Sequence, residues 1–389
     1  MLFYLHLLDG FFGPLNVFQY GTFRTIMAAL TAFFAVVFSG PWVIRQLLAL
    51  KIGQPIRSAE EVHKLHELHG KKLGTPTMGG VMILGAVIGS TLLWARPDNH
   101  FVWLGLLTLL VLGGLGFADD FQKVVRKNSK GISARQKLGV QIGLALVIGM
   151  LLMVLDPNFE RKEVIPANLW SHAAQAVAGV PHSARITDLY LPFLKNPVLD
   201  LQIVALAFFC LVMVGSSNAV NLTDGLDGLA IGCTIIVAGT LTAFAYIAGQ
   251  SRLANELYLP HVVGTQELAI MTAAMTGAGM GFLWYNCHPA KVFMGDTGSL
   301  AIGGFLGYVA ICIKQEIVLA IIGGVFVMEA LSVILQVASF KSTGKRIFLM
   351  SPIHHHFELK GWNESTVVIR FWILSIIFAL IGLSTLKLR

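Results

Sequence analysis

Charged residues are scarce in this 389-residue chain, at 13% of the total, where a soluble domain carries about 25%. With 55% hydrophobic residues and a mean hydropathy of +0.72, that scarcity excludes an ordinary soluble domain and indicates an integral membrane protein. Cysteine is also sparse. Cys210, Cys233, Cys287 and Cys312 fall in or beside apolar runs without C-x-x-C spacing, which excludes a disulfide framework and a thiolate metal site and reads as packing. The apolar stretch before Arg24 has no basic n-region, and no small-residue cleavage site follows the next run, so that run is expected to be a retained helix. Lys71-Lys-Leu-Gly-Thr-Pro-Thr-Met-Gly-Gly80 lacks the Walker spacing and is not a P-loop. Bases outnumber acids, 28 to 21, but they cluster in short loops between apolar segments, so membrane topology accounts for them and nucleic acid is not the expected partner.

Apolar runs are what the chain has in abundance. A helix crossing the hydrocarbon core needs about 20 mostly apolar residues. Runs near that length recur at 24–48, 76–95, 101–118, 136–155, 200–217, 228–248, 264–284, 297–313, 317–339 and 366–386. The pattern predicts an all-α polytopic membrane protein of about ten transmembrane helices, read as one domain over 1–389 with an outer-face loop at 156–199. That loop is expected to hold a short hairpin or surface helix and no chemistry. Counting bases orients the bundle: 18 of the 28 fall on one side, within 45–72, 123–137, 341–370 and at Lys291. By the positive-inside rule that face is cytoplasmic.

Every polar run of interest falls on that same face. Asn218-Ala-Val-Asn-Leu-Thr-Asp-Gly-Leu-Asp-Gly228 offers Asp224 and Asp227 as carboxylates, Asn221 as an amide, and Gly225 and Gly228 for close approach of backbone to a ligand. Asp119-Asp120 opens a basic segment containing Lys123 and Lys127. Asp119 and Lys123 are four apart and can simply pair on a helix, whereas adjacent carboxylates at a membrane boundary invite a divalent cation. Trp284-Tyr-Asn-Cys-His-Pro-Ala-Lys-Val-Phe-Met-Gly-Asp-Thr-Gly298 combines Asn286, His288, Lys291, Phe293 and Asp296: a ring for a base, donors for phosphate and a hard oxygen ligand for Mg²⁺. Phe293 alone reads as packing and Asp296 alone as a helix cap, and Asp227 and Asp296 each read as an aspartate introducing a membrane helix. His354, His355 and His356 lie between helices, where a terminal tag would not, and adjacent histidines rarely all reach one zinc ion. They are expected to serve as phosphate donors and in proton transfer. Lys72 and Thr77 belong to the glycine-containing run at 71–80, a phosphate-contacting loop or merely the start of a helix.

Five of these runs, Asn221-Leu-Thr-Asp-Gly-Leu-Asp-Gly228, Phe117-Ala-Asp-Asp120, Phe293-Met-Gly-Asp-Thr-Gly298, Pro76-Thr-Met-Gly-Gly80 and Pro352-Ile-His-His-His-Phe-Glu358, resemble the signature motifs of the bacterial phospho-N-acetylmuramoyl-pentapeptide transferases. That family lies within the polyprenyl-phosphate N-acetylhexosamine-1-phosphate transferase superfamily. The resemblance runs from about Arg24 to the C-terminus, and only the 156–199 loop is larger than the family leads one to expect. It implies transfer of phospho-N-acetylmuramoyl-pentapeptide from UDP-N-acetylmuramoyl-pentapeptide to undecaprenyl phosphate at the cytoplasmic face of a bacterial inner membrane, with Mg²⁺ as cofactor, membrane lipid as surroundings and a homodimer as an admissible assembly. It also implies roles. Asp296 would bind Mg²⁺, Asp119 and Asp120 would position or deprotonate the lipid phosphate, and Lys123 and Lys127 would attract anionic oxygens. Asp227, Lys72 and Phe293 would form the uridine pocket beside Asn221, Asp224 and Asn286, with the three histidines closing over phosphate or sugar. A sister enzyme transferring N-acetylglucosamine-1-phosphate, and a secondary transporter with intramembrane carboxylates, are the alternatives.

Overall fold

The computed structural model describes residues 1–49, 74–125, 131–156 and 184–386. Lys72, Lys127 and most of the expected outer-face loop lie outside them. Two 3₁₀ segments, Leu2–Leu8 and Gly13–Gln19, precede thirteen α-helices among the described residues. These are α1 (Gly21–Ala49), α2 (Gly80–Trp94), α3 (His100–Val125), α4 (Ala134–Leu155), α5 (Ala205–Thr223), α6 (Leu229–Ala248) and the short α7 (Ser251–Glu256). After them come α8 (Gln266–Asn286), α9 (Gly295–Cys312), α10 (Glu316–Ile322), α11 (Gly324–Thr343), α12 (Ile353–Leu359) and α13 (Glu364–Ser384). Eight of them, α1, α3, α4, α5, α6, α8, α11 and α13, are long and apolar enough to cross a membrane. The 15-residue α2 and 18-residue α9 complete the ten expected runs.

The centre of the bundle is α8 and α9. Every residue of α9 from Thr297 to Cys312 is buried. Helix α8 packs against α1 and α6, and α9 against α3 and α5. Two expected helices differ instructively. The run at 76–95 becomes helical only at Gly80, because residues 76–80 instead bond to the segment before α9: Phe293 N–H donates to Pro76 O (2.8 Å), Gly79 N–H to Phe293 O (2.8 Å) and Gly80 N–H to Met294 O (2.9 Å). Irregular backbone inside a membrane protein has to be satisfied by protein in this way. The run at 317–339 is split into α10 and α11 at the adjacent glycines Gly323 and Gly324, a sequence that favours a break.

Of the loop expected at 156–199, the described part holds the expected hairpin: β1 (Asp188–Leu189) pairs antiparallel with β2 (Leu199–Asp200). At this end of the bundle an ion pair is buried. Arg24 of α1 donates from Nη1 and Nη2 to the two oxygens of Glu267 of α8, at 2.7 and 2.8 Å, and also to Trp94 O at 3.1 Å. Both side chains are 1% exposed, so each charge depends on the other for its solvation. One expectation fails at the opposite end: Cys233 and Cys312 are buried packing residues, but Cys287 follows α8 and is exposed.

Candidate active site

Helix α3 runs seven residues beyond the expected 118, and its last turns carry Asp119, Asp120 and Lys123. They meet Asp296 in the first turn of α9, so that oxygens of Asp119, Asp120 and Asp296 lie within 4.8 Å of one another. Two glycines permit the approach. A Cβ on Gly116 would overlap the Asp296 carbonyl, and one on Gly80 would overlap the backbone of Gly298. The helix ends therefore touch backbone to backbone.

The three carboxylates have different surroundings. Asp120 is 3% exposed and accepts from the N–H of Asp296 (3.2 Å), the N–H of Thr297 (3.0 Å) and Thr297 Oγ1 (2.7 Å). It thus satisfies the otherwise unpaired N–H groups that open α9. The cap expected from Asp296 is supplied by a neighbouring helix instead. Asp119, fully buried, accepts from Ile132 N–H at 2.7 Å and pairs with Lys123 (2.6 Å) and Lys137 (2.8 Å). The same two ammonium groups reach Asp296 Oδ2 at 3.2 and 2.6 Å. Asn221 donates to Asp296 Oδ1 (2.9 Å) and to Ser299 Oγ (2.8 Å). Lys137 is the residue that the sequence reading passed over. It sits one position past a capping box in which Gln136 N–H donates to Ser133 Oγ and Ser133 N–H to Gln136 Oε1. That box fixes the start of α4 and aims Lys137 at the cluster. A base one residue after S-x-x-Q, downstream of an acidic pair, was the available signal.

Asp224 follows α5; burial first, then the Asp296 and Asp120 carboxylates, push it up to about 8. Thr77 is buried beside Gly295, whose positive φ of 73° suits glycine.

Asp227 lies in a second cluster. It does not cap α6; its Oδ2 accepts from His288 Nδ1 (3.1 Å) and Ala290 N–H (3.0 Å). Asn286 is 4% exposed, with its amide holding Gly228 N–H (3.0 Å) and Val292 O (2.8 Å). The structure thus places Asn286 as a brace between the two loops. Phe293 is partly buried, its backbone tied to the 76–79 segment.

The three histidines diverge. His354 is fully buried: Nδ1 bonds Glu329 Oε2 of α11 at 3.1 Å, and Nε2, without a hydrogen-bond partner among the described residues, faces Gly225, where a Cβ would overlap it. His355 bonds Glu358 (2.7 Å), and His356 accepts from Leu349 N–H (3.1 Å). One imidazole of the three therefore reaches the Asp224–Gly225 turn.

Three hard carboxylates with two ammonium groups suit an anionic phosphate together with a divalent cation, and the donor set contains no soft ligand. Sequence comparison agrees in kind. The profile of glycosyl transferase family 4 matches residues 102–314, and phospho-N-acetylmuramoyl-pentapeptide-transferase signature 1 matches residues 72–84. Relatives named phospho-N-acetylmuramoyl-pentapeptide-transferase include those of Methylacidiphilum infernorum (isolate V4), 53% identical over the whole of both chains, and of Geobacter sp. (strain M21), 53% identical over 96% of each. That of Koribacter versatilis (strain Ellin345) is 50% identical over 97% of this chain and 96% of its own. On the strength of that full-length likeness, the chain belongs to the phospho-N-acetylmuramoyl-pentapeptide-transferase family.

Proposed function

We propose that this protein moves phospho-N-acetylmuramoyl-pentapeptide from its UDP carrier to undecaprenyl phosphate, giving UMP and lipid I of peptidoglycan synthesis. The observation that carries the reading is the convergence of Asp119, Asp120 and Asp296 with Lys123 and Lys137 at one end of a membrane bundle. An oxygen of the lipid phosphate attacks the β-phosphorus of the UDP-sugar, the bond from that phosphorus to the bridging oxygen breaks, and UMP leaves. Such a transfer needs placement and charge neutralisation more than covalent help. Lys123 and Lys137 hold negative oxygens near Asp119, Asp120 keeps the start of α9 in place, and Asp296 presents the most accessible carboxylate of the three, 17% exposed. The carboxylates fit Mg²⁺, with Asp296 its principal ligand, and a bound ion would neutralise charge on the diphosphate. Asp227, Phe293 and Lys72 are assigned to the uridine, and Asn221, Asp224, Thr77 and Gly225 to the adjoining cleft.

The excess of bases at this end supports a place for it on the cytoplasmic side of the inner membrane, where a soluble nucleotide and a lipid phosphate can both arrive. A transporter would set its carboxylates near the bilayer midplane, whereas these lie at helix ends. Against the N-acetylglucosamine-1-phosphate enzyme stand the matching signature and the names of the relatives. The test is purified protein with UDP-N-acetylmuramoyl-pentapeptide, undecaprenyl phosphate and Mg²⁺, following UMP. Release that requires all three supports the reading, and no release, or equal release from UDP-N-acetylglucosamine, overturns it.

A further inference from the structure

The second cluster of titratable side chains, Asp227, His288 and Glu364, is drawn from three separate segments whose oxygens and Nδ1 lie within 4.8 Å of one another. Asp227 is 2% exposed, and its Oδ2 takes both the His288 Nδ1 proton and the Ala290 N–H. Its backbone N–H donates to Glu364 Oε1 at 2.8 Å, from the first turn of α13. The other oxygen of Glu364 lies 3.6 Å from the same Nδ1. An Nδ1 set between two carboxylates has to carry the proton, because an imidazole lone pair there would face only acceptors. The Asp227 carboxylate is thus held in one orientation by side chain and backbone together, while 45% of the His288 side chain stays open to solvent at the rim.

We propose that His288, braced by Glu364, is a positioning residue that fixes the Asp227 carboxylate for recognition of the uracil base; the proposal rests on the assignment of Asp227 to the uridine pocket. A carboxylate is an acceptor. It matches the N3–H of uracil and opposes the N3 lone pair of cytosine, and a buried acceptor discriminates in this way only while its orientation is fixed. Removing the imidazole takes away one donor to the Asp227 carboxylate and leaves the Ala290 N–H in place, so the carboxylate is held less firmly while the loop keeps that anchor.

The experiment uses the purified full-length protein and UMP as probe, with CMP as comparator. His288→Ala should weaken UMP binding, measured by calorimetry, and raise KM for the UDP-sugar by about tenfold, the loss of one hydrogen bond to a charged group. CMP binding, KM for the lipid phosphate and turnover at saturating UDP-sugar should change little. His288→Asn, whose amide N–H can occupy the place of Nδ1–H, should restore UMP binding. Unchanged UMP affinity in His288→Ala, no rescue by Asn, or equal losses for both substrates would each overturn the proposal. Asp227→Leu, which removes both acceptor oxygens, separates the underlying assignment: if it too binds UMP normally, Asp227 does not read the base and the proposal falls with it. If only Asp227→Leu loses UMP, the assignment stands and His288 has no part in it.

Discussion

An aspartate in the first turn of a helix ordinarily stabilises that helix's own N-terminus. Asp296 instead gives its carboxylate to Lys123, Lys137 and Asn221 and leaves the N–H groups of α9 to Asp120. A side chain so relieved of capping is available for chemistry. Asp296→Asn should lower UMP release by about 10²–10³-fold and abolish the rise in Tm on adding Mg²⁺, leaving Tm without the ion near normal; normal rates at ordinary Mg²⁺ would exclude the role. Asp224 supplies a pH test. Its carboxyl is raised to about 8, so the folded state holds a proton that the unfolded chain releases near the ordinary carboxylate value. The stability this proton gives is complete below that ordinary value and is lost as pH rises through about 8. Asp224→Asn cannot ionise, so its Tm should gain on that of the unsubstituted protein between pH 6 and pH 9. A constant difference would show that Asp224 does not carry this proton. The aspartates were visible in the sequence because carboxylates are rare among apolar runs. Lys137 and Glu329 were not, because the groups that give them meaning, Asp296 and His354, lie 159 and 25 residues away and are brought near only by packing.

At the scale of elements, the meeting of α3 with α9 depends on the missing side chain at Gly116. Gly116→Ala would set a methyl against the Asp296 carbonyl, where nothing flexible can yield. Overpacking of this kind costs about 1–3 kcal/mol. The expected outcome is a lower Tm together with an activity loss larger than the fraction unfolded explains, since the Asp119–Asp296 distance must grow; full activity with a normal Tm would show that the helices are free to part. Hydropathy made all ten apolar runs legible, because length and composition alone decide them. Helix ends were less so. Pairing of residues 76–80 with Phe293 and Met294 delays the start of α2, and the ion pairs of Asp119 let α3 continue past Phe117. The backbone bonds of residues 76–80 and the Asp119–Lys137 pair are long-range and no local pattern announces them, whereas the Asp119–Lys123 pair, four residues apart, was legible.

For the whole molecule, the distribution of 28 bases predicts which end faces the cytoplasm. Single cysteines at positions in 131–135 and 341–349, introduced after Cys287 is replaced because it is exposed at the same end, should resist an impermeant thiol reagent in intact cells and react once the cells are opened. Labelling from outside would reverse the orientation and move the proposed chemistry to the wrong compartment. The far end of the bundle holds a different kind of information. Arg24 and Glu267 are 243 residues apart in sequence yet share one buried ion pair. Translation at about 5–20 residues per second separates the synthesis of the two by roughly 12–50 s. Throughout that interval the first helix must keep its guanidinium in water or among lipid headgroups, since the carboxylate it bonds among the described residues has yet to be made. The clasp between α1 and α8 is therefore a timed one: the end of the bundle away from the aspartates stays unlatched until most of the chain has left the ribosome.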